Sequence, residues 1–180
     1  KMRLLLREND SLPVVSIMIC FPGGLRHEDE KTSGISSMMS SLLIKGTKSR
    51  TAEEIARLVD SMGAELSPFS GNNSFGLTMK VRKEDLDAAV SLLADMLVRP
   101  SFDKEELDKQ KKLMIAAIES EKDDIFVYGT RLLKRTLFKK HPYGLQAIGT
   151  KESVENLNAR KIKDFFSKRV NTHGAVMAVF

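Results

Sequence analysis

The sequence has 180 residues, of which 42% are hydrophobic, and a formal net charge of +5; this is enough for one folded core without disulfide or metal support. Its 29 basic residues are interleaved with 24 acidic ones, so we expect no nucleic-acid partner. Cys20 is the single cysteine, which excludes an internal disulfide, and no apolar run approaches the roughly 20 residues of a membrane span.

The chain opens with two strand patterns. Residues 2–7 and 14–21 are rich in aliphatic side chains, and the polar stretch 8–13 between them ends in a proline. Such a stretch between two apolar runs is typical of a turn. The sequence therefore predicts that the two strands pair as a hairpin.

Two helices are predicted next. Residues 33–45 have helical length, and Gly46 follows them as a stop. Thr51 and Glu54 have the spacing of a capping box, in which each side chain satisfies a backbone N–H of the first turn. Gly63 ends this second helix. Its apolar face consists of Ile55, Leu58, Val59 and Met62.

Two further strands and several helices complete the pattern. Strands at 65–70 and 74–82 surround a Gly-Asn-Asn turn, and the second strand alternates apolar and polar residues, so one of its faces is buried. The remaining predicted elements are helices at 83–98, 103–121, 125–138 and 152–170 and a terminal strand at 175–180. Strand pairs followed by helices indicate an α+β domain with a mostly antiparallel sheet covered on one face by helices.

Several short motifs occur in a fixed order along the chain. The first are Pro-Gly-Gly-Leu-Arg at 22–26, Gly-Ile-Ser at 34–36, Lys-Gly-Thr at 45–47 and the capped helix from Thr51. Later motifs are Leu-Ala-Asp-Met-Leu at 93–97, Pro-Ser-Phe at 100–102, His-Pro-Tyr-Gly at 141–144 and Gly-Thr at 149–150. In this order and spacing the chain resembles the pitrilysin or insulinase-type zinc metallopeptidases over nearly its whole length.

The resemblance has a consequence for metal binding. Active members of that family carry His-x-x-Glu-His on a helix between the Gly-Ile-Ser and Lys-Gly-Thr motifs. Here the two histidine positions and the glutamate position match Ser37, Ser41 and Ser40. A neutral hydroxyl is a poor zinc ligand, and a serine cannot act as the general base for a metal-bound water.

By the same resemblance, two more positions of the family's site carry other residues in this chain. The third zinc ligand, a glutamate on a later helix, matches Ala116 or Ala117. The active-site asparagine of the family's Leu-Asn-Ala segment matches Ser67. We therefore expect no catalytic residue, no cofactor and no metal in this chain, and we interpret the serines of the first predicted helix as small residues at a close helix contact.

The resemblance also implies a role. Family members work as two similar halves that enclose a peptide, one of which carries zinc. We expect residues 1–180 to form a single domain, the first domain of a noncatalytic half and a piece of a longer polypeptide. The expected partners are a zinc-bearing half, in the same polypeptide or as a separate subunit, and the peptide substrate. The inactive subunits of bacterial members and of the mitochondrial processing peptidase are similar cases.

Two alternatives to this role stay open. The first is a purely structural subunit, as in the core of the respiratory cytochrome complex, which has this fold without needing peptidase function. The second is a basic nucleic-acid module, which predicts binding that falls steeply with salt. The sequence leaves the compartment open among the bacterial cell envelope or periplasm, an organelle and the cytoplasm.

Overall fold

The computed structural model describes residues 1–9 and 11–180, so Asp10 of the predicted turn at 8–13 lies outside the described residues. The fold is built on a five-stranded sheet with strand order β1-β5-β2-β4-β3. The parallel pair is β1 with β5, and the other three pairs are antiparallel. The strands are β1 (Arg3–Leu6), β2 (Val14–Pro22), β3 (Glu65–Ser70), β4 (Ser74–Arg82) and β5 (Val176–Val179).

The predicted hairpin of the first two strands is wrong. The carboxy-terminal strand β5 lies between β1 and β2, so that Ala178 pairs with Leu5 on one side and with Met18 on the other. Adjacent strands are about 4.8 Å apart. A connection of a few extended residues at about 3.3 Å each therefore reaches past one intervening strand as easily as it closes a hairpin.

The predicted hairpin of β3 and β4 is confirmed at its predicted bounds. The alternation in β4 also has the expected meaning, because its apolar residues face the core with at most 2% of their surface exposed. These residues are Phe75, Leu77, Met79 and Val81.

Seven α-helices occur in the described part of the chain. They are α1 (Ile35–Leu43), α2 (Ala52–Ser61), α3 (Leu86–Val98), α4 (Lys104–Ser120), α5 (Ile125–Phe138), α6 (Lys151–Glu155) and α7 (Ala159–Arg169). The capping box of α2 is present with both of its hydrogen bonds. Within the described residues, no helix combines the length and apolarity needed to cross a bilayer.

The single helix predicted at 152–170 is wrong, because α6 and α7 are separate. The side chain of Asn158 accepts a hydrogen bond of 3.0 Å from the backbone N–H of Lys161 and so begins α7. Leu157 lies in the link and is 1% exposed. The apolar pattern therefore continues through the link, which explains why periodicity alone did not detect the break.

The helices cover one face of the sheet and leave the other open, so the α+β fold with a mostly antiparallel sheet is confirmed. Met38 and Met39 of α1 are fully buried in the core between sheet and helices. On the open face Met18 is 43% exposed and Lys80 is exposed. One face is thus available for contact with other molecules.

Candidate functional site

Helix α1, which carries three of the predicted site residues, begins at a buried carboxylate. One oxygen of Glu28 accepts a hydrogen bond of 2.7 Å from the backbone N–H of Gly34, and the other accepts one of 3.0 Å from that of Ser36. A carboxylate at this end of a helix satisfies otherwise unpaired N–H groups and complements the helix dipole. Glu28 is 5% exposed, and this burial raises the pKa of its carboxyl, against the hydrogen bonds from Ser36 and Gly34.

Gly34 makes this start of α1 possible. Its φ of 90° lies in the left-handed region, and a Cβ on it would come within 2.8 Å of the carbonyl oxygen of Ile148. Only glycine adopts this conformation in so little space. The Gly-Ile-Ser motif is thereby explained by the contact between α1 and the segment that precedes α6.

Helix α1 contains four serines, and the three that match the motif differ in their surroundings. Ser40 is 1% exposed, and its hydroxyl donates a hydrogen bond of 2.8 Å to the backbone carbonyl of Ser36, one turn earlier. The hydroxyl of Ser37 donates a hydrogen bond of 2.7 Å to the carbonyl of Ala147. Ser37 and Ser41 are half-buried. The structure therefore places one serine in the core and two at the edge of the helix contact.

The helix that carries the predicted position of the third zinc ligand packs beside α1, but its two alanines cannot supply that ligand. Helix α4 contacts α1, and Ala116 and Ala117 on it are exposed. Hydroxyl and methyl groups at these positions do not fit a zinc ion, which takes imidazole, thiolate or carboxylate ligands. In residues 1–9 and 11–180, no group of three or more His, Cys, Asp or Glu side chains could hold a metal ion.

Ser67 is not brought together with the other site residues. It is exposed on β3, where its carbonyl accepts a hydrogen bond of 3.2 Å from the Thr78 hydroxyl, whereas its neighbour Leu66 packs on the core. Side chains alternate between the two faces of a strand. Ser67 consequently points to the open face, where it lines a cavity of about 430 Å³ together with Met18 and Lys80.

A second buried carboxylate holds the Lys-Gly-Thr loop that follows α1. Asp95 of α3 accepts hydrogen bonds from the hydroxyls of Ser49 at 2.6 Å and Thr47 at 2.8 Å, and from Arg50 Nη1 at 2.7 Å. These hydroxyl hydrogen bonds, with Arg50 and Arg99 nearby, hold the pKa of the carboxyl below its usual range. Asp95 therefore fixes the loop.

Sequence reasoning missed both carboxylates, and the signals for them are weak. Asp95 stands in the middle of the apolar run of α3, where a charged residue is rarely buried unless it is paired. Glu28 stands eight residues before Ser36 in a polar loop, and nothing local indicates that its side chain returns to the helix. Both positions are explained by contacts between elements.

Comparison with known proteins agrees with the fold. The family model described as Insulinase (Peptidase family M16) matches residues 3–151. An "Uncharacterized zinc protease YmxG" from Bacillus subtilis is 28% identical over 179 residues, which are 98% of this chain and 43% of that protein. The "Non-peptidase homolog YmxG" from Helicobacter pylori is 29% identical over 93% of this chain and 39% of that protein.

Two further similarities extend the comparison. Subunit 1 of the bovine mitochondrial cytochrome b-c1 complex is 27% identical over 95% of this chain and 36% of that subunit. A solved peptidase M16 inactive domain from Pseudomonas fluorescens superposes with a TM-score of 0.93 at 20% identity, covering 99% of this chain and 43% of that one. The chain thus spans only about two fifths of the length of these proteins.

Proposed function

Because this chain belongs to the insulinase family of peptidases, peptidase family M16, we propose that it is a noncatalytic domain that closes the peptide chamber against a zinc-bearing half. In this role it also helps to hold the peptide substrate. The chain is an inactive peptidase-like domain and is not catalytic by itself. The zinc ion belongs to the partner half.

One observation carries this proposal: the helix that bears the family's motif is folded and packed, although the residues that would bind zinc and activate water are replaced. Helix α1 is capped by Glu28, packed in the core through Met38 and Met39, and joined to a distant loop by Ser37. A site that had lost its local structure together with its zinc ligands would lose these contacts. The preserved framework supports a domain that is retained for its shape.

The exposed edge of the sheet supports the holding of a peptide. Strand β3 is an edge strand, and an extended peptide can pair with such an edge through backbone hydrogen bonds. A wall that orients an extended chain and excludes bulk water contributes to catalysis by a metal held elsewhere.

A structural subunit is the second candidate, and one observation favours it. The chain is similar along 95% of its length to subunit 1 of a respiratory complex. An assembly role needs the same folded domain but no chamber and no peptide. The preserved framework of α1 does not distinguish between the two roles.

A deletion experiment separates them. The zinc-bearing half is produced with and without residues 1–180, and cleavage of a flexible peptide is measured with a chelator control. We expect chelator-sensitive cleavage that falls strongly when this domain is removed. Undiminished cleavage after the deletion, still sensitive to chelator, would make the domain dispensable for proteolysis and favour the assembly role.

A further inference from the structure

Helix α5 turns its apolar side to solvent. Phe126 is 85% exposed, Leu133 57% and Leu137 65%, and their spacing of seven and four residues places them on one face. Ile125 and Leu132 adjoin this face with 78% and 48% of their surface exposed. We call these five residues the outward face of α5. Side chains of this size favour burial, so the face represents an unused driving force for association.

The side of the same helix that faces the rest of the domain is mixed, because Arg131 is half-buried there and the ring of Phe138 contacts that of Tyr143. Val127, Arg131 and Lys134 line a groove of about 340 Å³ between α5 and residues 144–148, and Phe126 lies at the same groove. A surface helix normally packs its apolar stripe inward and shows its charged side to water. Helix α5 buries none of its side chains, so the described part of the chain leaves most of the outward face exposed.

Gly129 is a second, independent observation on the same face. It lies three residues after Phe126 and four before Leu133, in the middle of the outward face. A Cβ added to it would meet no atom within 4 Å, and its φ is not positive. Glycine in a helix interior is unfavourable relative to alanine, and no close contact in the described part of the chain requires it. A glycine at this place lets another backbone approach the helix closely.

The charge of this segment indicates what kind of surface fits. Residues 125–140 contain five cations and no carboxylate: Arg131, Lys134, Arg135, Lys139 and Lys140. A second copy of the chain docking through the same face would bring two such segments together, and like charges repel. An anionic lipid surface would suit the charge, but it gives no reason for a glycine at the centre of the face.

We propose that the outward face of α5 is a docking surface for one partner, which offers an apolar groove rimmed by carboxylates. The helix lies in this groove with Phe126, Leu133 and Leu137 as anchors. The groove's backbone approaches most closely at Gly129. Under the proposed function, on which this assignment rests, the partner is the zinc-bearing half.

The experiment measures binding of the full chain to a purified zinc-bearing half of the same family from the same genome. Two variants change the outward face without touching the core: the triple variant Phe126→Gln, Leu133→Gln, Leu137→Gln, and Gly129→Leu. The control Leu113→Gln changes an apolar residue on α4 that is 61% exposed. We expect the dissociation constant to rise at least tenfold for both variants and to stay unchanged for the control.

The folding of the variants is checked on the isolated chain by circular dichroism and thermal unfolding. Gly129→Leu and the milder Gly129→Ala should raise the unfolding temperature, because both residues favour helix more than glycine does. A weaker complex formed by a more stable domain cannot be attributed to misfolding. This contrast keeps the result interpretable even if the triple variant folds poorly.

Each other outcome has a distinct meaning. Binding that is unchanged in both variants overturns the docking surface and leaves the proposed function standing. No complex with the wild-type chain overturns the proposed function and this assignment with it. Two controls use the chain alone, sedimentation velocity for self-association and flotation with vesicles of phosphatidylcholine with or without phosphatidylglycerol. Association in either control that is lost in the triple variant would show that the outward face binds a second copy or a lipid surface. It would overturn the assignment of this face to the zinc-bearing half.

Discussion

The hydroxyl of Ser37 donates a hydrogen bond of 2.7 Å to the carbonyl of Ala147, a residue 110 positions later in the chain. This bond joins helix α1 to the loop before α6. A second bond joins the turn just before α1 to the same loop, because the hydroxyl of Ser33 donates to the carbonyl of Gln146 at 2.9 Å. At the position where active relatives are expected to carry a zinc ligand, this chain thus has a serine whose hydrogen bond holds two segments together.

The purified chain is expected to contain no stoichiometric metal. The positions that match the family's ligands carry Ser37, Ser41 and an alanine at 116 or 117, none of which has a group that binds zinc tightly. Elemental analysis after dialysis measures this directly. About one zinc per chain, lost when Ser37 or Ser41 is changed to alanine, would contradict the assignment of a dead site.

The serines of α1 should tolerate removal of their hydroxyls but not added bulk. The triple variant Ser37→Ala, Ser40→Ala, Ser41→Ala should fold, with a loss of about 0.5 to 1.5 kcal/mol for the bond from Ser37. Ser40→Leu should cost about 1 to 3 kcal/mol or more, because the 1% exposed site has no room for a larger side chain. Urea unfolding of both variants tests the pair. A serine-dependent activity of the isolated chain that disappears in a well-folded triple variant would reopen the question of catalysis.

Removal of the Asp95 carboxylate should release the Lys-Gly-Thr loop. We expect Asp95→Ala to destabilise the fold by about 3 kcal/mol, because it removes three hydrogen bonds to a charged group. Arg50 and Arg99 are partly exposed and can be solvated, which limits the loss. The control Asp87→Ala removes a carboxylate from the exposed side of the same helix and should change the stability little.

The same carboxylate gives an acid-dependent contribution to stability. The pKa of Asp95 is lowered in the folded state, so the unfolded chain binds its proton first as the pH falls. The contribution is complete above the ordinary carboxyl pKa of about 4 and is lost as the pH falls through the folded-state pKa. In Asp95→Asn this part of the pH dependence should be absent. If the fall in unfolding free energy at low pH, measured by urea unfolding, is unchanged in that variant, the acid sensitivity belongs to other groups.

Glu28 should act in the opposite direction. Burial raises the pKa of its carboxyl, so between the ordinary and the raised pKa the folded chain binds more protons than the unfolded chain. Stability from this group is present below the ordinary pKa and is lost as the pH rises through the folded-state pKa. The difference in unfolding free energy between Glu28→Gln and the wild type should therefore shift in favour of the variant from about pH 4 to neutral. A difference that is constant across this range would show that Glu28 does not titrate in the folded state with a raised pKa.

The sequence alone determined the features that rest on local rules. The capping box of Thr51 and Glu54 and the hairpin of β3 and β4 were predicted because caps, turns and strand alternation involve residues within a few positions of one another. The match of Ser37, Ser40 and Ser41 to the family's motif positions also came from the sequence, through the resemblance in motif order, and stays a prediction. These assignments require no knowledge of which elements meet.

The tertiary structure decided which elements meet and which way their faces point. Strand β5 separates β1 from β2, Glu28 and Asp95 are buried by segments outside their own elements, and Ser67 faces away from α1. The outward face of α5 is exposed to solvent, although an apolar stripe on a surface helix ordinarily faces the core. A periodic pattern gives the width and spacing of a face but not its direction, because direction depends on contacts between residues far apart in the chain.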